Sequence, residues 1–122
     1  MSNIFKDQRK FMLVSGQDVD IYNEDQYNLY LNLIKEEFEE LQEAVKDNDR
    51  VEQLDAALDI ITVCAGFLHS FGCDAEGAWN EVVRSNMSKV DPETGKVLKR
   101  EDGKVLKPET FSPPDLNPFI VK

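Results

Sequence analysis

The sequence predicts an all-α fold of four helices followed by a short C-terminal tail. In the segment 24–47, apolar residues recur at the spacing of one helix face. On a helical wheel, the segment 51–71 is apolar around most of its circumference, which is typical of a buried helix. Gly, Asn and Asp residues stand between the periodic segments, where they end one helix and cap the next.

The four helices are expected at about 3–14, 24–47, 50–71 and 75–89. The sequence Ser-Gly-Gln-Asp at 15–18 ends the first helix. Asp49 is the expected N-cap of the third helix, with Glu52 at the third helical position as in a capping box. Gly72 is the expected C-cap of that helix, and Asp74 is the expected N-cap of the fourth.

The tail, at about 90–122, contains the pentapeptide Gly-Lys-Val-Leu-Lys twice, at 95–99 and 103–107. The β-prone residues on either side of Asp102-Gly103 predict a small hairpin, and the prolines that follow predict an extended chain. Two copies of five residues are too short to be a stacking repeat. Residues 1–122 are therefore expected to form one domain, with a helical body at about 3–89.

The composition excludes several classes of protein. Of the 122 residues, 41% are hydrophobic, and 24 acidic against 14 basic side chains leave a net charge of −10. Because nucleic-acid binding depends on Lys and Arg at the phosphates, this balance predicts no nucleic-acid partner. The longest apolar stretch, 56–68, contains Asp59 and is too short for a membrane span. With no signal-peptide pattern and only two cysteines, the chain is expected to be cytoplasmic.

Carboxylates stand at positions of the helices where apolar residues are expected. On a helical wheel, Glu37 and Glu40 continue an apolar line that contains Leu33 and Ala44. Buried carboxylates are rare unless they are paired or bind a metal ion. The third helix, which is otherwise apolar, carries one polar line, formed by Glu52, Asp55, Asp59, Thr62 and Gly66.

The two lines meet if the second and third helices form an antiparallel hairpin about Asn48. Glu40 is then level with Asp55, and Glu37 is level with Asp59. No Lys or Arg stands at that height on either helix. Protonation would relieve one or two of the acids, whereas a divalent cation would neutralise all four. Oxygen ligands without His or Cys suit Mg²⁺ or Mn²⁺ rather than Zn²⁺.

A solvated acidic face is the alternative interpretation, and it is preferred for the glutamates at 36, 39 and 43 taken alone. Solvation does not account for acids inside the third helix, so the metal interpretation is preferred for the four converging carboxylates. Because Mg²⁺ keeps water and phosphate oxygens as its remaining ligands, such a site would suit a phosphate compound.

The fourth helix offers possible phosphate ligands. Asn86 and Lys89 extend its core-facing stripe at the C-terminal end, where a lysine can bind a phosphate group beside a donating amide. A lysine near a helix C-terminus is also favoured by the helix dipole, which leaves this alternative open. Trp79 is expected in the core rather than as a platform for a nucleobase. His69 is expected to be structural, since one imidazole without a nucleophile indicates no catalytic site.

At these residues the chain resembles the MazG-like all-α nucleoside triphosphate pyrophosphohydrolases. The resemblance covers most of the chain, and its motifs occur in the order found in that family. They are Glu-Glu-Phe-Glu-Glu at 36–40, the acidic and apolar run at 51–61, Phe-Gly-Cys-Asp at 71–74 and Arg-Ser-Asn-Met-Ser-Lys at 84–89. The tail segments 102–107 and 113–116 resemble those of small, single-domain members, often phage-encoded.

The chain departs from the family pattern at Ala56. In several members a glutamate stands three residues before the aspartate that opens the apolar run, and here Ala56 has that place before Asp59. Glu52 and Asp55 have the same spacing one helical turn earlier. Two choices for the second pair of metal ligands are therefore left. The register of the antiparallel hairpin favours Asp55 with Asp59, whereas the spacing of the family motif favours Glu52 with Asp55.

The resemblance implies hydrolysis of a (deoxy)nucleoside triphosphate to the monophosphate and pyrophosphate, with two or more Mg²⁺ or Mn²⁺ ions per site. Its implied catalytic residues are Glu36, Glu37, Glu40 and Asp55. Its implied metal ligands are Glu37, Glu40, Glu52, Asp55 and Asp59. Glu36 would orient or deprotonate the attacking water, Asn86 and Lys89 would bind the phosphates, and Trp79 is the candidate base contact if it does not lie in the core.

The base is not specified by the sequence, and a purine such as guanine, in dGTP or GTP, is preferred. Deoxyuridine triphosphate and phosphoribosyl-ATP are alternative substrates, and a non-catalytic helical module that binds an ion is the alternative of another class. The resemblance implies a homodimer or homotetramer whose helical bundle is completed across subunits. A two-helix hairpin that is acidic on one side and apolar on the others also needs partners on several faces.

Overall fold

A computed structural model describes residues 3–121. They form two compact units, one of residues up to Ala75 together with Val121, and one of Glu76–Ile120. The helices are α1 (Ile4–Val14), α2 (Glu24–Lys46), α3 (Arg50–Phe71) and α4 (Ala75–Met87), followed by a 3-10 turn at Asn117–Phe119. The predicted all-α class is confirmed, and α4 ends two residues earlier than predicted.

Side-chain caps define where the first three helices begin. Asn3 Oδ1 accepts a hydrogen bond from the Phe5 amide at 2.9 Å, and Asn23 Oδ1 accepts one from the Gln26 amide at 3.1 Å. Asp49, the predicted N-cap of α3, accepts a hydrogen bond from the Glu52 amide at 3.1 Å. These contacts satisfy amide groups that have no partner within the helix.

The hairpin of α2 and α3 turns at Asn48, whose φ of 52° lies in the left-handed region that Asn tolerates. Near the other end of the hairpin, the ring of Tyr30 lies directly against Gly66. A Cβ atom at position 66 would stand 2.6 Å from Cδ1 of Tyr30, so only glycine fits there. The absence of a side chain thus allows α2 and α3 to approach closely.

A network of buried polar groups ties the connection between α1 and α2 to the hairpin. The Tyr30 hydroxyl donates to Gln17 Oε1 at 2.6 Å and accepts from Gln8 Nε2 at 3.5 Å. Gln26 Nε2 donates to the Asp18 carbonyl and to Ser70 Oγ, both at 2.7 Å. Because buried polar groups are costly when unpaired, this network specifies the path of residues 15–23.

α1 packs on the C-terminal part of α3 through a small apolar cluster. Phe5, Ala65, Cys73 and Ala75 are buried there, and Leu68 and Phe71 pack against them. The buried His69 places Nε2 2.8 Å from the Phe5 carbonyl oxygen. This contact is structural, as the sequence predicts for the single histidine.

The expectation that α3 is buried on most sides is wrong for the single chain. Val51, Leu54 and Leu58 are 75%, 63% and 53% exposed. The helix packs against α1 and α2, and two neighbours cover only part of a helix that is apolar almost all round. Phe38 and Val45, expected in the main apolar stripe of α2, are also exposed, at 53% and 55%.

The tail is held by isolated antiparallel bridges rather than by extended strands within residues 3–121. The bridges join Val90 to Val97 and Lys99 to Val105. The predicted hairpin is therefore present in a minimal form around Gly103. The expectation of an extended chain after the hairpin is wrong at 117–119, where Pro118 lies in the 3-10 turn, because proline's fixed φ suits the first turn of a helix.

Among residues 3–121, α3 alone has the length and mean hydropathy of a membrane-spanning helix. A core helix of a soluble protein meets the same criterion. The sequence-based expectation that the chain does not contact a membrane stays a prediction.

Replacement of Gly66 by Ala tests the close packing of α2 and α3. Overpacking costs about 1–3 kcal/mol, and the gain in helix propensity offsets up to about 1 kcal/mol. We expect Gly66→Ala to lower the free energy of unfolding by about 1–2 kcal/mol in urea denaturation. In a Tyr30→Leu background the same change should cost less, since a flexible aliphatic side chain can move aside; an equal cost in both backgrounds would contradict the assigned contact.

Candidate active site

Four carboxylates interact between α2 and α3 in the middle of the hairpin. Burial raises the pKa of Glu37 to about 7, with further contributions from a carboxyl hydrogen bond to Glu40 and from the charges of Glu40, Asp59 and Asp55. The pKa of Asp59 is also raised, chiefly by burial and then by the charges of Asp55 and Glu40. These are the four acids that the hairpin register brings to one height.

Within this acidic cluster, defined as Glu37, Glu40, Asp55 and Asp59, the side chains differ in exposure. Glu37 and Asp59 are half-buried, whereas Glu40 and Asp55 are exposed. The buried pair therefore lies between the helices, and the exposed pair lies toward solvent. An incoming ligand would meet Glu40 and Asp55 first.

Oε2 of Glu37 is buried and has no hydrogen-bond partner among residues 3–121. A buried carboxylate oxygen without a donor is costly unless a proton or a cation neutralises it. The acidic cluster offers only oxygen donors, a set that fits Mg²⁺ or Mn²⁺. As the side chains stand, however, no three His, Cys, Asp or Glu residues in the described chain are arranged to hold a metal ion.

Glu52, the other predicted ligand, lies apart from the buried pair. It lines an open cavity of about 330 Å³ at the loop end of the hairpin, together with Glu40, Glu43, Asp47 and Asp49. Glu52 is exposed, as is Glu36, the residue expected to activate water. The structure thus places Asp59 beside Glu37, and Glu52 beside Glu40.

The predicted phosphate ligands lie together in the second compact unit. Lys89 Nζ donates to Asn86 Oδ1 at 3.0 Å, which leaves the Asn86 amide nitrogen as its donating end. The Lys89 ammonium also lies 5.9 Å from the centre of the Phe111 ring. Trp79 is 52% exposed rather than in a core, because the chain supplies too few neighbours to cover it.

Glu81 and Arg84 of α4, and Ser88 just after its last residue, attach the tail to this helix, a contact that the sequence interpretation did not assign. Arg84 forms a two-point ion pair with Glu81, at 2.6 and 3.0 Å, and donates to the Pro113 carbonyl at 3.3 Å. Glu81 accepts from the Asp115 amide at 2.8 Å, and Ser88 Oγ accepts from the Ser112 amide at 2.9 Å. Arg84 first and the Asp115 amide second lower the pKa of Glu81 to about 2.

The spacing of these residues in the sequence could have indicated that they act together. Glu81, Arg84 and Ser88 stand at i, i+3 and i+7, so Ser88, one residue past the end of α4, continues the helix face that Glu81 and Arg84 share. The string Arg-Ser-Asn-Met-Ser-Lys at 84–89 therefore has two uses: Arg84 and Ser88 hold the tail, whereas Asn86 and Lys89 contact each other.

The helical hairpin with its acidic cluster agrees with the comparison with known families. The chain is an enzyme, a nucleotide pyrophosphohydrolase of the MazG-like all-α superfamily. Residues 12–86 match the phosphoribosyl-ATP pyrophosphohydrolase family, and the chain belongs to this family. No curated protein sequence matches the chain. The matched region contains the acidic cluster and Asn86 and ends before Lys89, and the finer resemblance to small phage-type members stays a prediction.

Protonation of Glu37 should make the stability of the metal-free protein depend on pH. Its pKa is near 4.5 in the unfolded chain and about 7 in the folded one, so the folded state binds more protons between these values. The contribution of Glu37 to stability is full below about pH 4.5 and is lost as the pH rises through about 7. Glu37→Gln should therefore unfold less readily than the wild type at pH 8 and equally at pH 4, in urea titrations with chelator.

Glu39→Gln is the matched control, because it removes the same charge from an exposed position of α2 well away from Glu37 on the helical wheel. It should leave the pH dependence of the wild type unchanged. Equal slopes for Glu37→Gln and the wild type between pH 4 and 8 would rule out Glu37 as the titrating group.

Proposed function

We propose that this enzyme hydrolyses the bond between the α- and β-phosphates of a purine nucleoside triphosphate, with release of pyrophosphate, and depends on Mg²⁺ or Mn²⁺. The observation that carries the proposal is the buried Oε2 of Glu37, which has no hydrogen-bond partner among residues 3–121, within the acidic cluster. Carboxylates crowded between two helices lower stability in the absence of a ligand. Their retention is understandable if they neutralise the metal ions that accompany a triphosphate.

The residues proposed to hold the ions are those of the acidic cluster, with Glu52 contributing beside Glu40. When bound, the ions would polarise phosphate oxygens and lower the pKa of a bound water. Glu37 and Asp59, both half-buried, would provide fixed oxygens, since their side chains are confined between α2 and α3. Glu40 and Asp55 are exposed and would close on the ions from the solvent side.

Two further groups would act on the substrate directly. Glu36 is exposed on α2 next to Glu37, and we propose that it orients the attacking water or accepts its proton. Lys89 and Asn86 would bind phosphate oxygens, the lysine as a charge and the amide nitrogen as a hydrogen-bond donor.

Phosphoribosyl-ATP is the second candidate substrate, and the family match favours it. It carries the same purine 5′-triphosphate, so the same residues would meet the same phosphates. dGTP, GTP and dUTP are the other substrates to be compared. Because the net charge of the chain is −10, we propose a free nucleotide rather than a nucleic acid as the substrate, and the cytoplasm as its location.

Release of pyrophosphate from a panel of ribo- and deoxyribonucleoside triphosphates and phosphoribosyl-ATP tests this function. We expect turnover with Mg²⁺ or Mn²⁺, none with chelator, and a loss of at least about 100-fold in kcat for Glu40→Gln, on the scale of removing an electrostatic group from an active site. Glu39→Gln, which removes the same charge elsewhere on α2, should retain wild-type activity. Turnover that persists with chelator or in Glu40→Gln would contradict the metal-dependent mechanism.

Association of chains is the second part of the proposal. Leu54, Leu58 and Ile61 on α3 and Phe38 on α2 are large apolar residues that are 44–63% exposed in the single chain. Contiguous exposed apolar surface is typical of an interface. A second copy of the chain would present an apolar helix face that is equally uncovered. We therefore propose a homodimer or homotetramer in which α2 and α3 lie at the interface.

Sedimentation of a Leu58→Glu variant tests the interface. We expect the wild type to sediment as a dimer or tetramer and Leu58→Glu to shift toward the monomer, because a charge in an apolar interface is costly to desolvate. Glu93→Lys, an exposed change in the tail, should keep the wild-type state. A monomeric wild type at micromolar concentration would refute the proposed assembly.

A further inference from the structure

The tail places a second lysine beside the predicted phosphate ligand. Lys107 Nζ lies 4.9 Å from the centre of the Phe111 ring, and Lys89 Nζ lies 5.9 Å from the same centre. An ammonium group over an aromatic ring is attracted by the electron-rich face, so Phe111 holds both charges. Neither lysine forms an ion pair within residues 3–121.

The two lysines line one small cavity of about 110 Å³, with Asp91, Leu98, Leu106 and Pro108 as the other lining residues. Its volume is that of roughly four water molecules in the liquid, the scale of one phosphoryl group. Two ammonium groups that share a ring and a cavity repel each other unless an anion lies between them.

The one carboxylate on this cavity is already used by the backbone. Asp91 Oδ1 accepts from the Glu93 amide at 3.2 Å, and Asp91 Oδ2 accepts from the Thr94 hydroxyl at 3.1 Å. Asp91 also organises the turn through its backbone, since its carbonyl accepts from the Gly95 amide at 2.8 Å. Asp91 thus shapes the wall of the cavity and offsets one of the two lysine charges, so that one positive charge is left for a ligand.

The position of Lys107 depends on contacts that hold the tail on α4. On one side, the Leu106 amide donates to the Leu98 carbonyl at 2.8 Å. On the other side, Ser112 bonds to Ser88, one residue before Lys89. Phe111 is half-buried between these two attachments, so its ring has a defined place beside both lysines.

We propose that Lys107 is a phosphate-binding residue of the enzyme and that Lys89, Phe111 and Lys107 form an anion clamp for phosphate groups of the substrate. This inference rests on the proposed function, which assigns Lys89 to the phosphates. It adds a residue that lies outside the family match, which ends at residue 86. The tail therefore contributes to substrate binding rather than only covering α4.

Steady-state kinetics of Lys107→Gln, with Lys99→Gln as the matched control, tests the clamp. Lys99 is an exposed lysine at the corresponding place of the other pentapeptide and does not line the cavity. We expect Lys107→Gln to raise KM about tenfold, the scale of one charge-assisted hydrogen bond, with kcat within about twofold of the wild type. Lys99→Gln should change neither constant, and Lys107→Arg should restore most of the affinity.

Calorimetric binding of inorganic pyrophosphate separates failure of the clamp from failure of the proposed function. If the wild type hydrolyses nucleotides but Lys107→Gln and Lys99→Gln have equal KM values, the clamp is wrong and the proposed function stands. If no nucleotide is hydrolysed, weaker pyrophosphate binding in Lys107→Gln than in Lys99→Gln still supports the clamp. Equal pyrophosphate binding by the two variants, or none by the wild type, overturns it.

Discussion

The close contact between Tyr30 and Gly66 is the constraint on which the arrangement of the site depends. Both residues stand 18 positions from Asn48, on opposite arms of the hairpin, and Glu37 and Asp59 both stand 11 positions from it. The register that seats the Tyr30 ring on the bare backbone of Gly66 therefore also brings Glu37 opposite Asp59. Because the helices approach closely, these carboxylates lose part of their hydration, and the pKa of Glu37 rises to about 7.

Stability is thus lowered locally at the place where the chemistry is proposed to occur. Without a ligand, the acidic cluster is relieved by protons, and its repulsion increases as the pH rises. The buried network of Tyr30, Gln17, Gln8 and Gln26 lies toward the other end of the hairpin and opposes this repulsion with satisfied hydrogen bonds. The hairpin thus combines one end stabilised by hydrogen bonds with a middle in which carboxylates repel each other.

The fourth helix and the tail form the other compact unit, and the charged groups considered there are lysines rather than carboxylates. Glu81, Arg84 and Ser88 attach the tail to one face of α4, while Lys89 and Lys107 share the ring of Phe111. Under the proposed function, the carboxylates of the first unit would bind cations and the lysines of the second would bind phosphate. The family to which the chain belongs carries out such a hydrolysis.

The sequence by itself determined the four helices, the Asp49 cap and the convergence of Glu37, Glu40, Asp55 and Asp59, because helical periodicity and a short turn are local properties. It overestimated the burial of α3, since the cover of an apolar face depends on which elements pack against it. It also missed the attachment of the tail and the pairing of Lys107 with Phe111. Only the tertiary structure decided these contacts, and it also placed Glu52, which the family spacing favoured, at the loop end of the hairpin. The residues that attach the tail to α4 stand 24 or more positions apart in the chain and meet through packing, which no local pattern specifies.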